Sequence, residues 1–147
     1  MATLKSEDEE CVSSLTLAAT GSSPGQHAGQ RWQAVTVRLV SGSRNLTSAG
    51  DDGCLMCREP KDELSELSAQ LLQLAGGERQ EVLFEPAEPS FELSIKRTRE
   101  GGLAVHVWLD AGNEETGFYR WDAAGIRFYT TAANVEMFAR ALSTEFS

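Results

Sequence analysis

Residues 59–77 read EPKDELSELSAQLLQLAGG, and this stretch decides how the rest of the chain is organised. Leu64, Leu67, Leu71 and Leu74 recur at steps of three, four and three. On a helix of 3.6 residues per turn that spacing makes one apolar stripe. Pro60 suits a first helical turn, where its missing N–H costs little. Asp62 and Glu63 stand at the positive end of the helix dipole, and Gly76 with Gly77 provides the stop. The stretch is therefore predicted as an amphipathic helix whose stripe needs a surface to cover.

Working outward, the surrounding segments supply that surface as strands. Before the helix, residues 14–20 (SLTLAAT) alternate Leu15 and Leu17, and residues 32–40 (WQAVTVRLV) place Val35, Val37 and Leu39 on one face. Between them GSSPGQHAGQ reads as a loop, with His27 solvated in it. Residues 41–53 read as turn and short irregular edge, and residues 54–58 (CLMCR) as a short strand entering the helix. The sequon Asn45-Leu46-Thr47 carries no meaning in a cytoplasmic protein. After the helix, residues 80–89 alternate Val82 and Phe84 and then break at Glu85-Pro86 and Glu88-Pro89, since proline donates nothing to a ladder. Residues 91–97 (FELSIKR) and 103–110 (LAVHVWLD) read as strands around a TREGG hairpin turn. Residues 117–121 and 126–130 read as a further hairpin around Asp122-Ala123-Ala124-Gly125. Residues 132–146 place Val135, Phe138, Leu142 and Phe146 at helical spacing, with Thr131 as the N-cap.

The two halves repeat this order. Residues 34–39 (AVTVRL) align with residues 104–109 (AVHVWL) at an offset of 70, and Leu67 and Leu71 align with Phe138 and Leu142 at an offset of 71. The pattern predicts an α+β fold: a curved, mainly antiparallel sheet with two helices on one face, a pseudo-twofold duplication of a βββα unit. Residues 1–12, with Glu7-Asp8-Glu9-Glu10, read as a flexible acidic tail; residues 13–147 read as a single domain of two similar halves, 13–78 and 79–147.

With both helical stripes assigned to the core, function is sought on the opposite face. Trp32, Thr36, Arg38, His106 and Trp108 fall there by strand parity, joined by Arg127 and Tyr129 and by either Tyr119 with Trp121 or Phe118 with Arg120. A mixture of aromatics and arginines is what partner-binding surfaces are enriched in. The competing reading is that a loop or the N-terminal strand covers this face as a second small core, because large exposed apolar patches are uncommon in monomers.

Charge and composition narrow the functional classes. A net charge of −9 over 147 residues disfavours nucleic acid, which is held by clustered Lys and Arg. It suits attraction of a basic protein, or simply solubility. The acidic start lacks the positive region and apolar run of a signal peptide, and no stretch approaches the roughly 18 apolar residues of a membrane span, so a cytoplasmic address is expected. Three cysteines, Cys11, Cys54 and Cys57, make no secreted disulfide framework. The pair Cys54 and Cys57 forms a CxxC, but a zinc site needs four ligands, and a redox pair needs its first thiol at a helix N-terminus. Structural thiols are the expected reading, ahead of redox and metal-binding ones. No catalytic constellation, cofactor or metal site is predicted. Asp51-Asp52 and Glu114-Glu115 sit in predicted turns, and His106 has no acid or hydroxyl at recognisable spacing.

The strand RWQAVTV after a Gly-rich loop, then CLMCREPKDELSELSAQLLQLAGG, LFEPAEPSFELSI, LAVHVWL and a terminal helix containing NVEMFARAL together resemble the WapI-type immunity proteins of bacteria. The resemblance runs from Leu15 to Phe146. It is carried most specifically by the helix from Asp62 to Leu74 with its following Gly76, and by Glu88-Pro89 leading into Phe91, Glu92 and Leu93. It implies a non-catalytic protein that binds and occludes a toxin encoded beside it, with a basic toxin domain as the expected partner, no catalytic residues, and no cofactor. The alternatives are a small-ligand-binding or self-associating scaffold module, in which a homo-oligomer would form, and a thiol redox enzyme using Cys54 and Cys57.

Overall fold

The computed structural model of the chain describes residues 1–10, 12–27, 30–48, 56–86, 91–110 and 123–147. Within them the elements follow as β1 (Ala2–Lys5), β2 (Ser13–His27), β3 (Gln30–Ser41), β4 (Arg44–Thr47), β5 (Met56–Arg58), α1 (Pro60–Ala75), β6 (Glu81–Phe84), β7 (Phe91–Arg97), β8 (Leu103–Asp110), β9 (Ala123–Thr130) and α2 (Ala132–Glu145). All strand pairs among them are antiparallel. The fold is α+β, but its strands pair as two sheets rather than as one curved sheet. The first has the order β1-β2-β3-β4 with β5 also on β3; the second has the order β6-β7-β8-β9.

Both helices form where the spacing of apolar residues requires. In α1, Pro60 occupies the first turn, and Asp62 and Glu63 follow it. The turn begins from Glu59, whose φ of 47° is left-handed and whose carbonyl accepts from the amides of Asp62 and Glu63. At the other end the Gly76 amide donates to the Leu72 carbonyl, and Gly77, at φ 83°, reverses the chain into β6. Leu64, Leu67, Leu71 and Leu74 are at most 1% exposed. Burying each contributes about 1.5–3 kcal/mol. In α2 the Thr131 hydroxyl caps the helix by accepting from the Asn134 amide at 3.2 Å, and Val135, Phe138, Ala139 and Leu142 are buried.

The two helices pack on one another and share one core with both sheets. At their crossing the buried Ser68 hydroxyl donates to the Ala139 carbonyl at 2.8 Å and also meets Ser143 Oγ at 2.8 Å. Each helix also reaches an outer strand of the sheet it does not follow: α1 lies beside β6, and α2 beside β1. Arg97 of β7 donates to the Leu74 carbonyl at 2.6 Å, which sets a cation at the negative end of α1.

Four sequence expectations are corrected. Residues 2–5, expected in a flexible tail, form β1, with Ala2 and Leu4 fully buried. Two small or apolar residues two apart suffice here because β1 is held by β2 on one side and its Lys5 carbonyl accepts from Thr130 Oγ1 at 2.6 Å. The expected loop after Thr20 is largely strand: β2 runs to His27 and pairs with β3 up to His27 opposite Gln30, and the register shifts between Thr20 and Gly25. Pro24 lies inside that shift, where a strand tolerates a residue that cannot donate to the ladder. Residues 123–125, expected in a turn, belong to β9, because pairing with β8 continues through Asp110 opposite Ala123. The single curved sheet is the fourth, since no strand pairing joins β4 or β5 to β6 among the described residues. Cys11, Cys54, the sequence 111–122 and the Glu88-Pro89 pair lie outside the described residues.

Candidate functional site on the outer face of the second sheet

Strand parity decides which side chains of the second sheet face away from the core. Along β8, Leu103, Val105, Val107 and Leu109 are buried, so Ala104, His106, Trp108 and Asp110 point outward. Along β9 the outward positions are Gly125, Arg127 and Tyr129; along β7 they are Glu92, Ser94 and Lys96; along β6, Glu81 and Leu83.

Register arranges these positions in rows across the sheet. One row runs Glu81, Lys96, Ala104, Tyr129; the next runs Leu83, Ser94, His106, Arg127; the third runs Glu92, Trp108, Gly125. Glu85, which follows β6, continues the exposed alternation of Glu81 and Leu83 and acts on the Glu92 carboxyl. Trp108 is 47% exposed, Tyr129 59% and Leu83 58%. Three large apolar or aromatic side chains thus reach solvent from one face. His106 and Arg127 lie between them and line, with Tyr129 and Ala104, a shallow depression of about 320 Å³.

Trp108 owes its position to Gly125. A Cβ at Gly125 would stand 2.3 Å from the Val107 carbonyl oxygen and 2.6 Å from Trp108 Cε3. The indole therefore lies down over the neighbouring strand in space that only a glycine leaves open. At the rim, Lys96 and Glu81 form an exposed cross-strand ion pair at 3.6 Å, an interaction worth little on its own. The Glu92 carboxyl is held above its ordinary 4.5, first by partial burial and then by the hydrogen bond and the charge of Glu85 beside it.

Of the residues expected to form a binding face, His106, Trp108, Arg127 and Tyr129 stand together on this sheet. Arg38 does not join them. It lies on the outer face of the first sheet, in a row with Thr16 and Thr47, where its Nε donates to Asn45 Oδ1 at 3.1 Å. Trp32 stands on β3 opposite Arg58, but its side chain lies outside what is described, as do Tyr119 and Trp121 altogether. Leu83, Glu85, Glu92 and Gly125 belong to the face and were not singled out from sequence. The alternation in QEVLFE already places Leu83 opposite Val82 and Phe84, whereas Gly125 was read as a turn residue.

Ser94 and His106 are cross-strand neighbours on this face, with no side-chain hydrogen bond between them. Among the described residues no group of three or more His, Cys, Asp or Glu side chains is placed to hold a metal ion.

The model of the WapI-like immunity protein family matches residues 4–147, and no curated protein or solved structure matches. The chain belongs to the WapI-like immunity protein family.

Proposed function

We propose that this member of the immunity family is a non-catalytic binding protein that acts in the cytoplasm and neutralises a cognate toxin domain by occluding it. Family membership supports the immunity role. The geometric observation that carries the reading is the outer face of the second sheet, where Trp108, Tyr129 and Leu83 are each about half exposed or more around His106 and Arg127. Aromatic residues and arginine dominate the energetics of protein interfaces, and large exposed apolar side chains gathered on one face mark such interfaces. The net charge of −9 favours a basic partner, because opposite charge accelerates encounter.

The depression on this face is shallow and open to the sheet surface, which suits a protein partner better than an enclosed small molecule. Self-association through the same face is the second reading, favoured by the same exposed aromatics.

The test is co-expression with the toxin domain encoded beside the chain. The wild-type protein is expected to restore growth and to co-purify with that domain. The double variant Trp108→Ala, Tyr129→Ala is expected to lose roughly 30-fold or more in affinity, corresponding to about 2 kcal/mol, while its thermal midpoint stays close to that of the wild type. Full rescue by the double variant would move the interface elsewhere. Absence of rescue by the wild type with any neighbouring toxin would sink the immunity reading, and a concentration-dependent dimer lost in the double variant would favour self-association.

A further inference from the structure

We propose that the free edge of β6 pairs with an extended segment of a basic protein partner, adding a strand to the second sheet, and that Glu81 and Glu85 select Lys or Arg on either side of an apolar residue set against Leu83. The proposal rests on the reading of the chain as a toxin binder only for the identity of the protein that carries the strand.

The edge is open by the phase of its hydrogen bonds. β6 is the outermost strand of its sheet and is paired on one side, by β7. The Arg97 amide donates to the Gln80 carbonyl at 2.9 Å, so Gln80 and Arg97 are a mutually bonded pair. By antiparallel alternation Val82 with Ile95 and Phe84 with Leu93 are bonded in the same way. The N–H and C=O of Glu81 and Leu83 therefore point away from β7. Among the described residues no strand pairs with them on that side, and no turn or loop backbone bonds to them. The opposite edge of the same sheet differs. There the Tyr129 carbonyl of β9 accepts from the Glu7 amide at 2.9 Å, and Thr130 Oγ1 donates to the Lys5 carbonyl, so β1 and the residues just after it close that end.

An unpaired edge is a template for another strand, and proteins guard such edges with Lys, Pro or other charge. β6 contains neither Lys nor Pro, and at its centre Leu83 is 58% exposed. Its guard is acidic. Residues 81–85 read EVLFE, with Glu81, Leu83 and Glu85 exposed. Two copies paired antiparallel about Leu83 would set Glu81 of each against Glu85 of the other, and like charges directly opposed are destabilising. The same two positions attract a strand that places Lys or Arg opposite them. Glu81 has an exposed pair with Lys96, an interaction weak enough to be shared or exchanged. The net charge of −9 adds long-range attraction for a basic segment. Main-chain bonds then supply affinity, and alternate side chains supply selectivity.

The experiment uses the full-length, isotope-labelled protein and a capped peptide TKTITKT, whose isoleucine is set against Leu83 and whose lysines are set against Glu81 and Glu85. In the free protein the Leu83 amide is expected to exchange with solvent faster than the Val82 amide, which is bonded to Ile95. Saturating peptide is expected to shift the Leu83 signal and to slow its exchange. Methylating the isoleucine nitrogen removes the donor that faces β6 and is expected to weaken binding about tenfold. Methylating the threonine before it, whose N–H faces away, is expected to weaken binding distinctly less. The acidic peptide TETITET is expected not to bind the wild type, and to bind Glu81→Lys, Glu85→Lys in preference to TKTITKT. A Leu83 amide already protected in the free protein, or peptide binding indifferent to the isoleucine methyl group, overturns the edge as a strand receptor. Equal binding of both peptides by the wild type overturns the selection by charge. Growth rescue separates this proposal from the immunity reading. Rescue from a neighbouring toxin by a protein whose Leu83 amide no basic peptide protects overturns the edge and leaves the immunity reading standing. Peptide binding by a protein that rescues from no neighbouring toxin overturns the immunity reading and leaves the edge.

Discussion

Trp108 and Gly125 are directly opposed across β8 and β9, and the indole occupies the place a side chain at position 125 would take: the nearest ring atom is 2.6 Å from where its Cβ would stand. Gly125→Ala must therefore push on both the indole and the Val107 carbonyl, 2.3 Å away. The expected cost is about 1–3 kcal/mol, as for other overpacked sites, measured as a lowered urea midpoint. Combination with Trp108→Ala should recover only part of it, because the carbonyl contact remains.

The helix crossing depends on one hydroxyl. Ser68 is 2% exposed and joins α1 to the Ala139 carbonyl and the Ser143 hydroxyl of α2. Ser68→Ala removes a buried hydrogen bond and is expected to cost about 1 kcal/mol, with the denaturant midpoint falling and the slope unchanged. Ser68→Val should cost more, since it adds volume where two helices touch.

β1 offers a test that separates a packed strand from a frayed tail. Leu4 is fully buried between β2 and α2, so Leu4→Ala is expected to destabilise by about 2–5 kcal/mol, in the range of other buried leucines. Leu71→Ala, in the stripe of α1, should fall in the same range. An effect of Leu4→Ala within a few tenths of a kcal/mol in equilibrium unfolding would contradict the packing of β1.

Glu92 makes stability depend on pH with a definite sign. Its carboxyl is raised in the folded protein, by burial first and by Glu85 second. The folded state therefore binds the proton more tightly than the unfolded state, and stability falls as pH rises from the ordinary value of 4.5 through the raised one. Glu92→Gln is expected to be more stable than the wild type at neutral pH and to lose that advantage below the ordinary carboxylate range. Parallel urea titrations at pH 7 and at acidic pH would check this, and an advantage that grows on acidification would contradict it.

Much of this architecture was legible in the chain because it is written in local periodicity. The α1 stripe, the Thr131 cap, the bounds of β7 and β8 and the TREGG turn follow from spacing within a few residues, and the turn carries the expected bonds between Thr98 and Gly101 and between Thr98 and Gly102. β1 was missed because four residues beside an acidic run look like a tail until β2 is present to pair with them. The candidate face was half legible. Parity gave the outward positions of His106, Trp108, Arg127 and Tyr129, but assigning Arg38 to the same face assumed a continuous sheet.

By itself the sequence determined which residues are buried along α1, α2, β3, β7 and β8, since a period of 3.6 or 2 assigns every side chain a face regardless of what lies beyond it. It also determined the excess of negative charge that any partner must meet. Only the tertiary structure decided which faces come together. Strand pairing split the ladder into two sheets, brought Glu92, Trp108 and Gly125 into one row, and cleared the space over Gly125 in which the indole rests. Those relationships depend on register between segments distant in the chain, which no local pattern specifies.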